Sequence, residues 1–190
     1  DRIGEVGDAM PGDGEVPAPW FAVTRAVTIT APPEAVWPWI VQIGHHRAGW
    51  YAHDLFDNDD IPSAEAILPE FQHLEIGQVI GEEGFAVREL EPGRHLVLGF
   101  HYPKTEWVVK QGLWPKFGHC SMCLQLRPVH DGERTRLLYR VRVCAPPLGR
   151  AVMAAFFEPA DFVQSRKMLT GIKRRAETHY AGAFAAAAHK

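Results

Sequence analysis

"PADFVQSRKMLTGIKRRAETHYAG", residues 159–182, is the stretch on which the fold turns. Phe162, Ser165, Leu169, Ile172 and Ala176 recur at three- and four-residue spacing and share one helix face. Lys167, Arg174 and Glu177 lie elsewhere around the wheel. The spacing predicts an amphipathic helix of about 20 residues, longer than the usual three turns. Pro159 suits its first turn, where a missing N–H costs nothing. The preceding "LGRAVMAAFF" reads as a short helical lead-in, and residues 181–190 as an Ala-rich tail that frays. A helix this long needs an apolar surface to lie on, and the rest of the chain must supply it.

Upstream, the period shortens to two. "GQVIGEE", "GFAVREL", "RHLVLGF", "TEWVVKQ", "HCSMCLQLRPV" and "RTRLLYRVRV" read as strands, with "EPGR" and "HDGE" as hairpin turns. Hairpins in series make an antiparallel sheet. A first strand lies in "WFAVTRAVTITA", with Phe21, Val23, Val27 and Ile29 on one face and threonines on the other. Three short helices are expected after it, in "PPEAVWPWIVQIG", "GWYAHDLFDN" and "SAEAIL". Pro38 should bend the first, and Gly44 should stop it. The plan is α+β: a curved antiparallel sheet of six or seven strands around the long C-terminal helix. Residues 20–180 form one domain, and residues 1–19, rich in Gly, Pro and acids, form an extended arm.

Several classes are excluded. The net charge of −3 with scattered Lys and Arg lacks the basic stripe that nucleic acid requires. No apolar run reaches the 18 or so residues that span a bilayer, so stable membrane insertion of this segment is not expected. Cys120 and Cys123 sit three apart on a strand and point to opposite faces, which disfavours a shared metal. Reduced thiols in a cytoplasmic protein fit better, with a leader or anchor upstream of Asp1 left open. A metal would need His45, His46, His53 and Asp54 to converge. Adjacent histidines diverge in most backbones and no HExxH-like spacing is present, so no metal is expected. No glycine-rich phosphate loop or nucleophile elbow occurs, and no cofactor is expected.

The candidate site starts from "GWYAHDLFDN", residues 49–58. On a helix, Tyr51, Asp54, Leu55 and Asn58 share a face, and His53 and Asp57 point away. Asp54 and Tyr51 are therefore the catalytic candidates; a carboxyl in an apolar cleft has a raised pKa and can move a proton. The alternative is structural hydrogen bonding by the same pair. Trp50 and Trp107 are candidate rigid walls for a ligand. His101, in a loop mixing polar and aromatic residues, and its neighbour Phe100 are placed beside them. Met122 and Tyr139 fall on strand faces, and Phe162 and Leu169 on the helix face, where they would complete the lining. Arg88 or Arg140, if turned inward, would pair a ligand carboxylate.

"VTRAVTITAPPEAVWPWIVQIG", "GWYAHDLFDN", "IPSAEAILPEFQHLEIGQ" and "EPADFVQSRKMLTGIKRRAE" together resemble the SRPBCC superfamily, the START-like, polyketide-cyclase and lipid-transport group. The resemblance covers residues 12–178 and is nearest a bacterial branch of mostly unassigned function. It implies the helix-grip fold and a deep apolar cavity between sheet and helix, and it carries no catalytic motif across. Three functions follow as expectations. The first is binding of a hydrophobic small molecule such as a lipid, polyketide or isoprenoid. The second is a cyclase- or dehydratase-type enzyme in the same cavity. The third is an interaction module with a filled core. The chain is expected to be a monomer or homodimer.

Overall fold

A computed structural model describes residues 7–81, 84–101, 119–144 and 150–188. Its six strands are β1 (Phe21–Ile29), β2 (Val79–Ile80), β3 (Phe85–Glu91), β4 (His95–His101), β5 (His119–Val129) and β6 (Arg134–Cys144). They form one antiparallel sheet in the order β1-β6-β5-β4-β3-β2. The strand expected at "TEWVVKQ" lies outside the described residues.

Register explains the two faces. Val23 pairs with Val141, which pairs with Met122, which pairs with Leu98. Side chains alternate along a strand, so each such row stands on one face. The inner face carries Val87, Leu96, Leu98, Met122, Leu124, Leu126, Leu137 and Val141 in one core with the C-terminal helix. A bulge between Val87 and Glu89 restores the inward set at Leu90. The outer face buries Val97, Cys123 and Leu138 under Met10. Thus the N-terminal arm, from residue 7 onward, is a strap across the sheet. Arg140 bonds Asp13 and Thr24, and Arg142 reaches Val16 and Pro17 carbonyls. Arg88 also faces outward, 3.7 Å from Glu15. The inward turn considered for Arg88 or Arg140 therefore does not occur.

Helix α1 (Pro33–Val41) has Pro33 as its first residue and ends before Gly44, with Gln42 as its cap. The other two short helices differ from expectation. Only Asp54–Asp57 is helical in the second stretch, here α2. Gly49 and Tyr51 both have positive φ, 74° and 57°, which breaks a helix before it starts. "SAEAIL" forms no helix, because its backbone groups go elsewhere: the Ala64 N–H to the Ala48 carbonyl, the Leu68 N–H to Gln42. Helix α3 (Arg150–Ala188) runs 39 residues, so the lead-in and the long helix are one element with Pro159 inside it. Pro159 is exposed, and its missing N–H leaves one intrahelical bond unmade. The result is an α+β helix-grip plan with a curved sheet around α3.

Close approach sets the position of α3. A Cβ on Gly171 would lie 2.4 Å from the Tyr51 carbonyl oxygen and 2.9 Å from its Cβ. Alanine in a helix interior is ordinarily favoured over glycine by about 1 kcal/mol. Here the clash is with backbone, and overpacking of this kind costs about 1–3 kcal/mol. Gly171→Ala should therefore lower stability in urea unfolding. A variant as stable as the parent would show that α3 does not pack this closely on the Tyr51 loop.

Candidate functional site

Between the inner sheet face and α3 lies a cavity of about 210 Å³. Trp50, Ala52, Phe85, Met122 and Met168 make its apolar wall. Asp57, Tyr139, Gln164 and Ser165 border it with polar atoms. Trp50 stands edge-on to Phe85, with centroids 5.6 Å apart. The volume is below the roughly 300–1,000 Å³ of pockets for drug-sized ligands, so it suits a compact molecule or one end of a longer one.

The strongest polar feature is a chain of buried groups. β1 alternates apolar residues inward, except at Arg25, which pairs in register with Tyr139. Both reach Asp161 of α3: Arg25 Nη1 donates to Oδ2, and the Tyr139 hydroxyl donates to Oδ1 at 3.0 Å. Asp161 and Ser165 are also joined, the Ser165 hydroxyl donating to the Asp161 carbonyl at 2.5 Å. Burial pushes the Tyr139 phenol well above its ordinary pKa, and the Asp161 carboxylate adds to the rise. Tyr139 is therefore a neutral donor at the cavity wall.

Asp57 is the second polar group. Gln164 Nε2 donates to its Oδ2 at 2.8 Å, while Oδ1 is buried with no hydrogen-bond partner among the described residues. Burial raises its carboxyl above the usual range, opposed by the Gln164 bond. The helix wheel of a longer α2 placed Asp57 outward and Leu55 inward. The one-turn helix reverses this: Leu55 is 65% exposed, and Asp57 borders the cavity.

Tyr51 and Asp54 border a second, polar cleft of about 470 Å³ with Ser63, Lys167, Thr170 and Arg174. Tyr51 is buried, its hydroxyl receiving Gln42 Nε2 at 2.8 Å. Asp54 accepts the Ser63 N–H at 3.1 Å and the Ser63 hydroxyl at 2.5 Å. These bonds tie the loop together. His53 is half-buried, its Nδ1 3.2 Å from Lys167 Nζ.

Of the other expected ligand contacts, Trp50, Met122 and Tyr139 border the cavity. Phe100 leans on Phe85 at 5.3 Å, one layer behind the wall. Leu169 is core. Phe162 is a correction: it is 51% exposed beneath Arg25, because α3 is turned so that Asp161 faces inward in its place. The His101 backbone pairs with His119 at the end of β4, its side chain lies outside the described residues, and so does the whole of Trp107. Asp161 and Arg25 went unselected, though a signal existed: an arginine in an inward row of valines requires a buried acid. His45 and His46, expected to diverge, converge on Asp59, because His46 has φ 56°.

No protein-family model matches this chain, and no curated protein matches it. Solved structures do resemble it. The Zhui aromatase/cyclase from Streptomyces sp. R1128 is 21% identical, over 83% of this chain and 93% of its own, with a TM-score of 0.48. The di-domain aromatase/cyclase BexL of the BE-7585A biosynthetic pathway is 16% identical, over 83% and 46%, with a TM-score of 0.47. A protein of Mesorhizobium loti is 14% identical, over 83% and 98%, also at 0.47. Likeness at this level bears on neither ligand nor activity, and the fold rests on the sheet order and α3 themselves.

Two measurements check the buried groups. Asp161→Asn leaves Arg25 without its counter-charge and should cost about 3 kcal/mol, the scale of a broken buried pair. Tyr139→Phe removes one neutral bond and should cost about 1 kcal/mol. Equal losses in urea unfolding would contradict the pairing. Separately, burial pushes the Cys120 and Cys123 thiols up to about 12. Neither should react with Ellman's reagent in folded protein at pH 8, and both should on unfolding.

Proposed function

We propose that the protein binds a compact hydrophobic molecule carrying a hydrogen-bond donor, of the lipid, polyketide or isoprenoid kind, in the cavity beneath α3. The observation that carries this is the Asp57 Oδ1: buried, unpartnered among the described residues, and beside an apolar wall. A buried acceptor without a donor costs about 1–3 kcal/mol. A ligand hydroxyl removes that cost while its apolar body covers Trp50, Phe85 and Met168. The interaction module with a filled core has less support, since a cavity of about 210 Å³ is lined by described residues of the core.

The enzymatic reading rests on the same oxygen. A carboxylate beside an apolar wall can exchange a proton with a bound ketone or hydroxyl, as cyclization or dehydration requires. For that reading, Asp57→Asn should keep affinity for a β-hydroxy ketone and slow its dehydration by about a hundredfold.

The binding proposal is tested with 2-naphthol and naphthalene, followed by tryptophan fluorescence. Both should bind, the naphthol more tightly. Asp57→Ala should remove the difference between them, and Met122→Trp, which fills the cavity, should weaken both by about tenfold or more. Affinities unchanged in Met122→Trp would place the ligand elsewhere.

A further inference from the structure

We infer that His45, His46 and Asp59 form a binding site for a first-row divalent cation of the zinc class, on the loop surface outside the ligand cavity. Asp59 Oδ2 lies 3.0 Å from His45 Nε2 and 2.9 Å from His46 Nε2. The three ligand atoms all fall within 4.8 Å of one another, the only such trio of His, Cys, Asp or Glu among the described residues.

The placement is built by the backbone and by Asn58, independently of the Asp59 carboxylate. The left-handed φ of His46 puts two adjacent imidazoles on the same side, stacked at 3.8 Å and 23°. Asn58 is buried, accepts the His46 N–H at 3.2 Å, and donates to the Ile61 carbonyl at 2.7 Å. It thereby clamps the loop that carries the histidines to the loop that carries Asp59. The Asp60 N–H bonds the Asp54 carbonyl at 2.9 Å, fixing the far side of Asp59.

Hydrogen bonding alone is a poor account of His45. Its side chain is 9% exposed, yet Nε2 faces a carboxylate that is 66% exposed. Its Nδ1 is buried with no partner among the described residues. So the one polar tie of a buried ring goes to a single oxygen that is shared with His46 and open to water. A cation about 2.0–2.2 Å from each ligand atom satisfies all three at once. In tetrahedral coordination it sets ligand atoms roughly 3.3–3.5 Å apart, so Asp59 Oδ2 moves out from each histidine by about half an ångström and the stacked rings turn to aim both Nε2 atoms at one ion. Two imidazoles and one carboxylate suit zinc, cobalt or nickel, whereas magnesium and calcium prefer oxygen ligands alone. Three protein ligands leave positions for water or a further group.

The test uses the whole chain without an affinity tag, stripped with chelator. Zinc chloride is titrated calorimetrically, and cobalt binding is read from its visible absorption. One ion should bind per chain with micromolar affinity. His46→Ala and Asp59→Ala, both at exposed side chains, should each weaken binding by about tenfold or more with unchanged circular dichroism. His45→Gln, at the buried position, should do the same, and excess magnesium should not compete. Absence of zinc binding at millimolar concentration, or affinity unchanged in the His46 and Asp59 variants, would overturn the site.

Discussion

Gln42 has no exposed surface, and the segment that follows it hangs on its side-chain amide. The stretch from Gln42 to Gln72 has almost no regular structure, yet it forms the roof over the inner sheet face. Buried backbone polar groups need partners, and irregular chain does not supply its own. A primary amide offers two donor hydrogens and two acceptor lone pairs. All four are used: Nε2 donates to the Tyr51 hydroxyl and the Ala66 carbonyl, and Oε1 accepts from the Leu68 N–H and Gln72 Nε2. Tyr51 then carries the constraint to α3. Its ring lies under the Arg175 guanidinium at 4.6 Å, and its carbonyl allows only a glycine at position 171. One amide thereby ties the irregular roof to the helix that lies over the sheet.

One polar group of the cavity wall, Tyr139, is set by Arg25, its partner across the strands. A charged residue in the inner row needs a counter-charge. Asp161 supplies the charge and Tyr139 occupies its other oxygen, so three side chains are committed to one another and not to packing. The space beside them is bounded by Met122 and Met168, flexible side chains that adapt to an occupant.

The antiparallel sheet and the gripping helix were legible because each rests on periodicity. The two-residue period of "RTRLLYRVRV" marked β6 as a strand. What was illegible sits where local pattern yields to a distant partner. "SAEAIL" has good helix formers, but its amides go to Gln42 and Ala48. "GWYAHDLFDN" matches a helical wheel, but left-handed residues at Gly49 and Tyr51 shorten it to one turn. That single error exchanged Leu55 for Asp57 at the cavity. On α3 a turn of one residue exchanged Phe162 for Asp161, since an amphipathic stripe fixes a helix face only to within about one position.

The shortness of α2 has a chemical consequence beyond misleading a helical wheel. A continuous helix from Tyr51 to Asn58 would hold its two acids, Asp54 and Asp57, about one turn apart on a single axis. Instead, α2 stops at Asp57, and Asn58 leaves helical geometry with φ −151°. Asp59 and Asp60 then take positive φ, 51° and 60°. The chain reverses within three residues, and its carboxylates part company: Asp57 beside the cavity on Gln164, Asp59 outward on the stacked histidines. Asn58, buried between them, holds both directions at once through the His46 N–H and the Ile61 carbonyl. Positive φ is uncommon for residues other than glycine, and aspartate is among the few that tolerate it. The run "DNDD" at 57–60 is thus the composition a sharp reversal demands, and it delivers one acid to each side of the roof.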